Sequence, residues 1–194
     1  MNECRACGLC EGRRNVVVGR GSLSAGVLFI GEGPGENEDA QGLPFVGRAG
    51  KLLDLALEGL EFGPDAYYIA NVVKCRPPGN RVPSDDEAAA CLPFLRRQVR
   101  LISPAILVCL GAVAMRHIIG KEHRITKIRG EWVERGKWLI MPTFHPAALL
   151  RDDSKKAPFW HDLKTVRQRA EQIAAQAQAQ TQAQAQAQAL NPEQ

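Results

Sequence analysis

No apolar run in this chain approaches the roughly 18 consecutive residues that a membrane span requires. The opening residues, Met1-Asn2-Glu3-Cys4, lack the charged, apolar and small-residue regions of a secretory signal. Both absences predict a soluble, intracellular protein. Strong charge is missing as well. A net charge of +4 and a pI near 8.8 are mildly basic, well short of a histone-like composition. From Thr165 onward Arg167, Arg169, Glu171 and Glu193 cancel, so the whole excess lies in residues 1–164. A modest excess gathered on one face suits a nucleic-acid partner. Core-forming residues are absent from 174–189, which is Ala and Gln apart from Thr181. Ala and Gln favour helix, so this tail either extends a last helix into solvent or stays disordered; it is expected to be dispensable for chemistry.

What remains is enough for one domain. The chain has 194 residues, of which 45% are hydrophobic. The expected division is a folded domain over 1–164 and a helical extension with low-complexity tail over 165–194. Val27-Leu28-Phe29-Ile30 reads as a strand covered on both faces, running into the turn Gly31-Glu32-Gly33-Pro34-Gly35. Residues 47–60 place Leu52, Leu53, Ala56, Leu57 and Leu60 at helical spacing. Residues 67–73 form a second buried strand, followed by a Pro- and Arg-rich loop over 76–83. Ser84 with Glu87 is a capping-box pattern that opens a helix carrying Cys91 and stopping before Ser103-Pro104. Residues 105–110 form a third buried strand, with a helix after Gly111. Residues 131–133 and 138–141 read as a hairpin turning at Arg135-Gly136, and a last helix starts near Phe159. Strand and helix alternate, which predicts a three-layer αβα fold around a central, mostly parallel four-stranded sheet. The loops after Ile30, Val73 and Met141 then gather at one edge, where α/β proteins hold ligands.

Cysteine usage is more specific. Cys4-x-x-Cys7 is a two-ligand clip, and Cys75 and Cys91 lie mid-chain. Four thiolates suit either Zn²⁺ or an iron–sulfur cluster, and spacing does not choose between them. Cys10 continues the three-residue spacing, as in a ferredoxin ligand run. Cys109 lies inside an apolar strand and reads as a small buried hydrophobe.

Several segments together resemble family 4 uracil-DNA glycosylases, the iron–sulfur enzymes of bacteria and archaea. These are residues 31–39 (GEGPGENED), 42–50 (GLPFVGRAG), 71–78 (NVVKCRPP), 125–130 (ITKIRG) and 145–151 (HPAALLR). The resemblance runs from Cys4 to about Lys164. It implies a uracil-DNA glycosylase-like fold and a [4Fe–4S] cluster on Cys4, Cys7, Cys75 and Cys91, with Cys10 outside the ligand set. It also implies uracil-containing DNA, single- or double-stranded, as partner to a monomer. The expected location is the cytoplasm, on the nucleoid through DNA.

A glycosylase must draw the base from the stack into a tight pocket, read its edge and stabilise charge as the bond to the sugar breaks. Under the resemblance, Phe45 stacks on the uracil ring; its plain alternative is a core phenylalanine. Asn71 donates to O4 and accepts from N3–H, a pattern that cytosine reverses; locally it could also cap a strand end. His145 donates to O2 as uracil leaves with negative charge. Gly31, Glu32 and Gly33 line the pocket with backbone amides. Glu32 is the candidate to activate water or stabilise the cationic sugar, because Gly33 stands where better-known uracil glycosylases carry an Asp. Glu38 fills the space beside C5 and excludes the thymine methyl, or else belongs to a solvated acidic turn. Lys74, Arg76, Arg81, Lys127, Arg129 and Arg151 are the expected phosphate contacts. Leu149 and Leu150 are wedge candidates for the hole left by the flipped base, or core residues.

Two other functions compete with excision. One is a relative that keeps a covalent adduct with uracil-DNA, a branch marked by an extra histidine-containing loop; the 76–83 loop has no histidine. The other is an iron–sulfur redox protein, which would need none of the pocket residues.

Overall fold

The structure is a computed structural model that describes residues 1 and 3–190, with side chains described through Gln186. The sheet has six strands rather than four, in the order β1-β3-β2-β4-β6-β5. They are β1 (Arg20–Gly21), β2 (Val27–Gly31), β3 (Tyr67–Asn71), β4 (Ile106–Leu110), β5 (Val133–Arg135) and β6 (Trp138–Thr143). The central four, β3, β2, β4 and β6, are parallel, as the alternation of elements requires. The correction concerns the edges: β1 adds antiparallel to β3, and β5 folds back antiparallel on β6. The β5–β6 hairpin forms as expected but is shifted: its first strand is 133–135 rather than 131–133, Arg135 pairs with Trp138, and Gly136 supplies the positive φ of 58° at the turn.

Strand periodicity separates two cores. Leu28, Ile30, Tyr68, Ala70, Leu107 and Cys109 point to one face. There they meet Leu95 and Val99 of α3 (Asp85–Ile102) and Ala114 and Met115 of α4 (Gly111–Ile118). Val27, Phe29, Ile69, Ile106, Val108 and Leu110 point to the other. They pack on Leu53 and Leu57 of α2 (Arg48–Gly59) and on Phe159, Leu163 and Val166 of α7 (Lys156–Leu190). A strand buried on both faces must be apolar at every position, which is why no alternation is visible in the 27–30 run.

Three short helices were not expected as such: α1 (Glu36–Gln41), α5 (Ile125–Ile128) and α6 (Pro146–Leu149). All sit at the carboxyl ends of the parallel strands. The α1 helix begins on Gly35 and stops at Gly42, whose φ of 73° gives a left-handed cap.

The tail continues α7 as helix, and residues 174–186 are exposed throughout. Residues 191–194, the end of the expected tail, lie outside the described residues. Exposed residues that pack on nothing contribute within ~0.5 kcal/mol. Truncation after Ile173 is therefore expected to leave the thermal unfolding midpoint and catalysis at full-length values. Differential scanning calorimetry and a turnover assay on both proteins check this.

Candidate active site and cysteine cleft

The carboxyl ends of β2, β3, β4 and β6 open into one cleft. Glu32, Gly33, Glu38, Phe45, Asn71 and His145 all line it. Asn71 closes β3, and the parallel register sets it directly beside Gly31 of β2. A Cβ on Gly31 would collide with Asn71 Oδ1 and come within 2.7 Å of the Phe45 ring, so only glycine admits both neighbours. Asn71 is 2% exposed. Among the described residues its Oδ1 has no hydrogen-bond partner. A buried acceptor left unpaired costs about 1–3 kcal/mol. Gln98 Oε1 and Trp138 Nε1 share this condition among the described residues, but of the three only Asn71 lines the cleft.

Phe45 stands beside it with a left-handed φ of 55°. This conformation costs a non-glycine residue roughly 1–3 kcal/mol and persists only where neighbours impose it. Its ring is 5.6 Å, centroid to centroid, from the His145 ring.

His145 caps the N-terminus of α6, and its Nδ1 accepts from the Ala147 amide at 3.1 Å. An accepting Nδ1 leaves the ring proton on Nε2. Burial first, and then the charge of Arg151, push the imidazole down to about 4. The ring is thus neutral at physiological pH and offers one N–H donor. Gly111, at φ 89°, lets the start of α4 approach this ring: a Cβ there would lie 2.8 Å from His145 Cβ. Glu32 is half-buried, and burial holds its carboxyl above the usual range.

Glu38 lines the cleft, where it was expected, and its carboxylate is held by backbone amides. Its Oε1 accepts from the amides of Val46 and Gly47 at 2.9 and 2.8 Å, and its Oε2 from Gly35 at 3.1 Å. Oε1 thus holds the loop that carries Phe45, and Oε2 the start of α1.

Three further expectations are corrected. Lys74 is 2% exposed and donates to the Asn71 carbonyl at 2.8 Å; burial lowers it to about 7. It braces the end of β3 and cannot meet a phosphate. Arg129 grips Asp162 through Nε and Nη2 and lies over the Phe144 ring at 5.7 Å. Asp162 also accepts from Thr143 at 2.6 Å, so it joins α7 to the end of β6, and Arg129 is engaged with it rather than standing free for a phosphate. Leu149 is 2% exposed within the α2–α7 core, which leaves Leu150, at 42%, as the wedge candidate.

The other basic residues stay at the surface. Arg81 and Arg151 line the cleft, joined by Lys155, which sequence reasoning missed. Lys127 is exposed. Arg76 is half-buried, donating to Asn80 at 2.8 Å. Arg81 forms a two-pronged pair with Glu87.

Cys4, Cys7, Cys10, Cys75 and Cys91 line a separate cleft with Arg13 and Lys74. Arg13 Nη1 lies 3.3 Å from Cys75 Sγ, and the Lys74 amide 3.3 Å from Cys91 Sγ. Burial pushes the Cys75 and Cys91 thiols up. Among the described residues no three His, Cys, Asp or Glu side chains close around one ion. The donor set fits a thiolate-held cluster: several sulfurs face one cleft, and N–H donors approach two of them. Cys109 is fully buried in β4, its thiol pushed far up by burial, as a small hydrophobe should be.

The family model of the uracil DNA glycosylase superfamily matches residues 18–164, and the chain belongs to that superfamily. Within it, the chain belongs to the type-4 uracil-DNA glycosylases. It is 48% identical over 161 residues to the type-4 uracil-DNA glycosylase of Thermotoga maritima, covering 80% of this chain and 82% of that protein. It is 44% identical over 177 residues to that of Sulfurisphaera tokodaii, covering 87% and 80%. A type-5 uracil-DNA glycosylase of Pyrobaculum aerophilum is 30% identical over 147 residues, covering 66% and 64%.

The His145 value gives a pH test. Its folded value, about 4, lies below the ordinary 6.5, so between these the unfolded chain takes up a proton that the folded chain refuses. The stability tied to the neutral ring is complete above 6.5 and declines as pH falls toward 4. Denaturant titrations across this range are expected to show that decline, and His145→Gln to flatten part of it.

Proposed function

We propose that this chain hydrolyses the N-glycosidic bond of deoxyuridine in DNA, releasing uracil and leaving an abasic site for base excision repair. The observation that carries this reading is the buried, unpaired Oδ1 of Asn71 in a cleft shared with Phe45 and His145. Uracil presents what that atom lacks. Its N3–H donates to Oδ1 while Nδ2 donates to O4, and the ring packs against Phe45. Cytosine offers an acceptor at N3 and a donor at C4, so a fixed Asn rejects it.

As the bond lengthens, negative charge collects on the uracil and positive charge on the sugar. The neutral His145 donates Nε2–H to O2, and no proton transfer is required for this. Glu32 orients the attacking water toward C1′ and accepts its proton, with its raised basicity favouring that role. Gly31 and Gly33 keep the backbone close to the base; a Cβ on Gly33 would come within 2.7 Å of Val73. Arg76, Arg81, Lys127 and Arg151 hold the DNA backbone, and Leu150 fills the vacated stack.

In this reading Cys4, Cys7, Cys75 and Cys91 hold a [4Fe–4S] cluster. When bound, it cross-links the N-terminal arm to the loop after β3 and to α3, a structural service. The domain over 1–164 carries the whole activity, the protein acts as a monomer on single- or double-stranded DNA, and its place is the cytoplasm with the nucleoid.

Release of free uracil from a uracil-containing oligonucleotide tests the reading. Removal of one donor to a developing anion costs about 10²–10³ in rate. His145→Ala and Asn71→Ala are expected to lose at least that much. Asn71→Asp is expected to shift preference toward cytosine. Wild-type protein inert on both single- and double-stranded substrate would refute the function.

A further inference from the structure

Phe45 occupies a strained conformation on a short loop between α1 and α2, and the chain holds it there from two sides. From one side comes Arg20 of β1. Its Nε donates to the Pro44 carbonyl at 3.0 Å, and its Nη2 lies 3.4 Å from the Phe45 carbonyl. The same guanidinium pairs with Asp54 of α2, which fixes its orientation. From the other side comes Glu38 of α1, accepting from the Val46 and Gly47 amides. Two carbonyls before the bend are thus taken by a cation, and two amides after it by an anion. Gly50 completes the arrangement: a Cβ there would collide with the Phe45 carbonyl, so α2 itself presses on the loop.

We propose that Arg20 and Glu38 are positioning residues that clamp the Phe45 backbone and so set the ring against which the base is held. This rests on the uracil reading above. Neither side chain need touch the base; both act through Phe45. An arginine is required for its fork, which reaches two carbonyls and a carboxylate together, whereas a lysine offers one point of charge. A carboxylate at position 38 is required for acceptor geometry more than for charge. The substitution Glu38→Gln would keep one oxygen for the Val46 and Gly47 amides, although the new amide group would oppose the Gly35 N–H.

A double-mutant cycle reads this directly. The quantity is kcat/KM for uracil release from an oligonucleotide, with melting temperature and visible absorption followed to confirm folded, cluster-loaded protein. Arg20→Ala and Glu38→Ala are each expected to lower kcat/KM about tenfold with Phe45 present, within the coupling range for residues in contact. In a Phe45→Ala background each should cost less than about twofold, because the ring they position is gone. Glu38→Gln should recover most of the Glu38→Ala loss, and Arg20→Lys only part of the Arg20→Ala loss. If an alanine variant fails to fold, these two conservative variants carry the cycle. Additive losses in the Phe45→Ala background would overturn the clamp. So would a Glu38→Gln loss equal to that of Glu38→Ala, or release of thymine by Glu38→Ala, since each makes Glu38 act on the substrate itself. A wild type that releases no uracil overturns the function and the clamp together; an active wild type with additive losses overturns the clamp alone.

Discussion

Everything at the site depends on the pairing of Gly31 with Asn71 across the two central parallel strands. The register alone brings them side by side, and the missing side chain at 31 then lets the Asn71 amide and the Phe45 ring share one space. The sheet can hold such a position because both faces of β2 and β3 are sealed by helices. A buried acceptor without a donor is tolerable only in a frame with stability to spare. Two cores, one on each face, supply that frame.

The cysteine cleft is tied to this pairing by chain connectivity. Lys74 follows Asn71 by three residues, donates back to its carbonyl, and is itself followed by Cys75. The Val17 amide donates to the Lys74 carbonyl at 2.8 Å, so the arm after the N-terminal cysteines lies against the same turn. A second tie runs through α1. Buried Asp39 accepts from the Arg14 and Asn15 amides at 2.9 and 3.2 Å, while its neighbour Glu38 holds the Phe45 loop. Whatever orders the arm therefore also orders both walls of the cleft.

Much of this was legible in the sequence, for reasons that differ between elements. The strands are continuous apolar runs over 27–30, 67–70 and 106–110, which helices on both faces demand, and the glycine-rich turn after the first marks a close approach. The β1 strand was not legible: two residues carry no period, and only its partner β3 makes it a strand. Lys74, Arg129 and Leu149 show the other limit. A basic residue beside a motif looks like a phosphate contact until its own partner is known; here the partners are a backbone carbonyl, that of Asn71, which no side-chain pattern marks, and Asp162, 33 residues from Arg129. Arg20 went unseen for the same reason, since its role lies in backbone carbonyls 24 and 25 residues away.

The central claim is that Asn71 keeps one acceptor vacant for the uracil N3–H. A crystal structure of the protein soaked with free uracil tests it most directly. The account predicts the base in the cleft against Phe45, with N3 within ~2.7–3.2 Å of Asn71 Oδ1 and O4 at a similar distance from Nδ2. Uracil bound elsewhere, or bound in the cleft with Asn71 Oδ1 still unpaired, would contradict it.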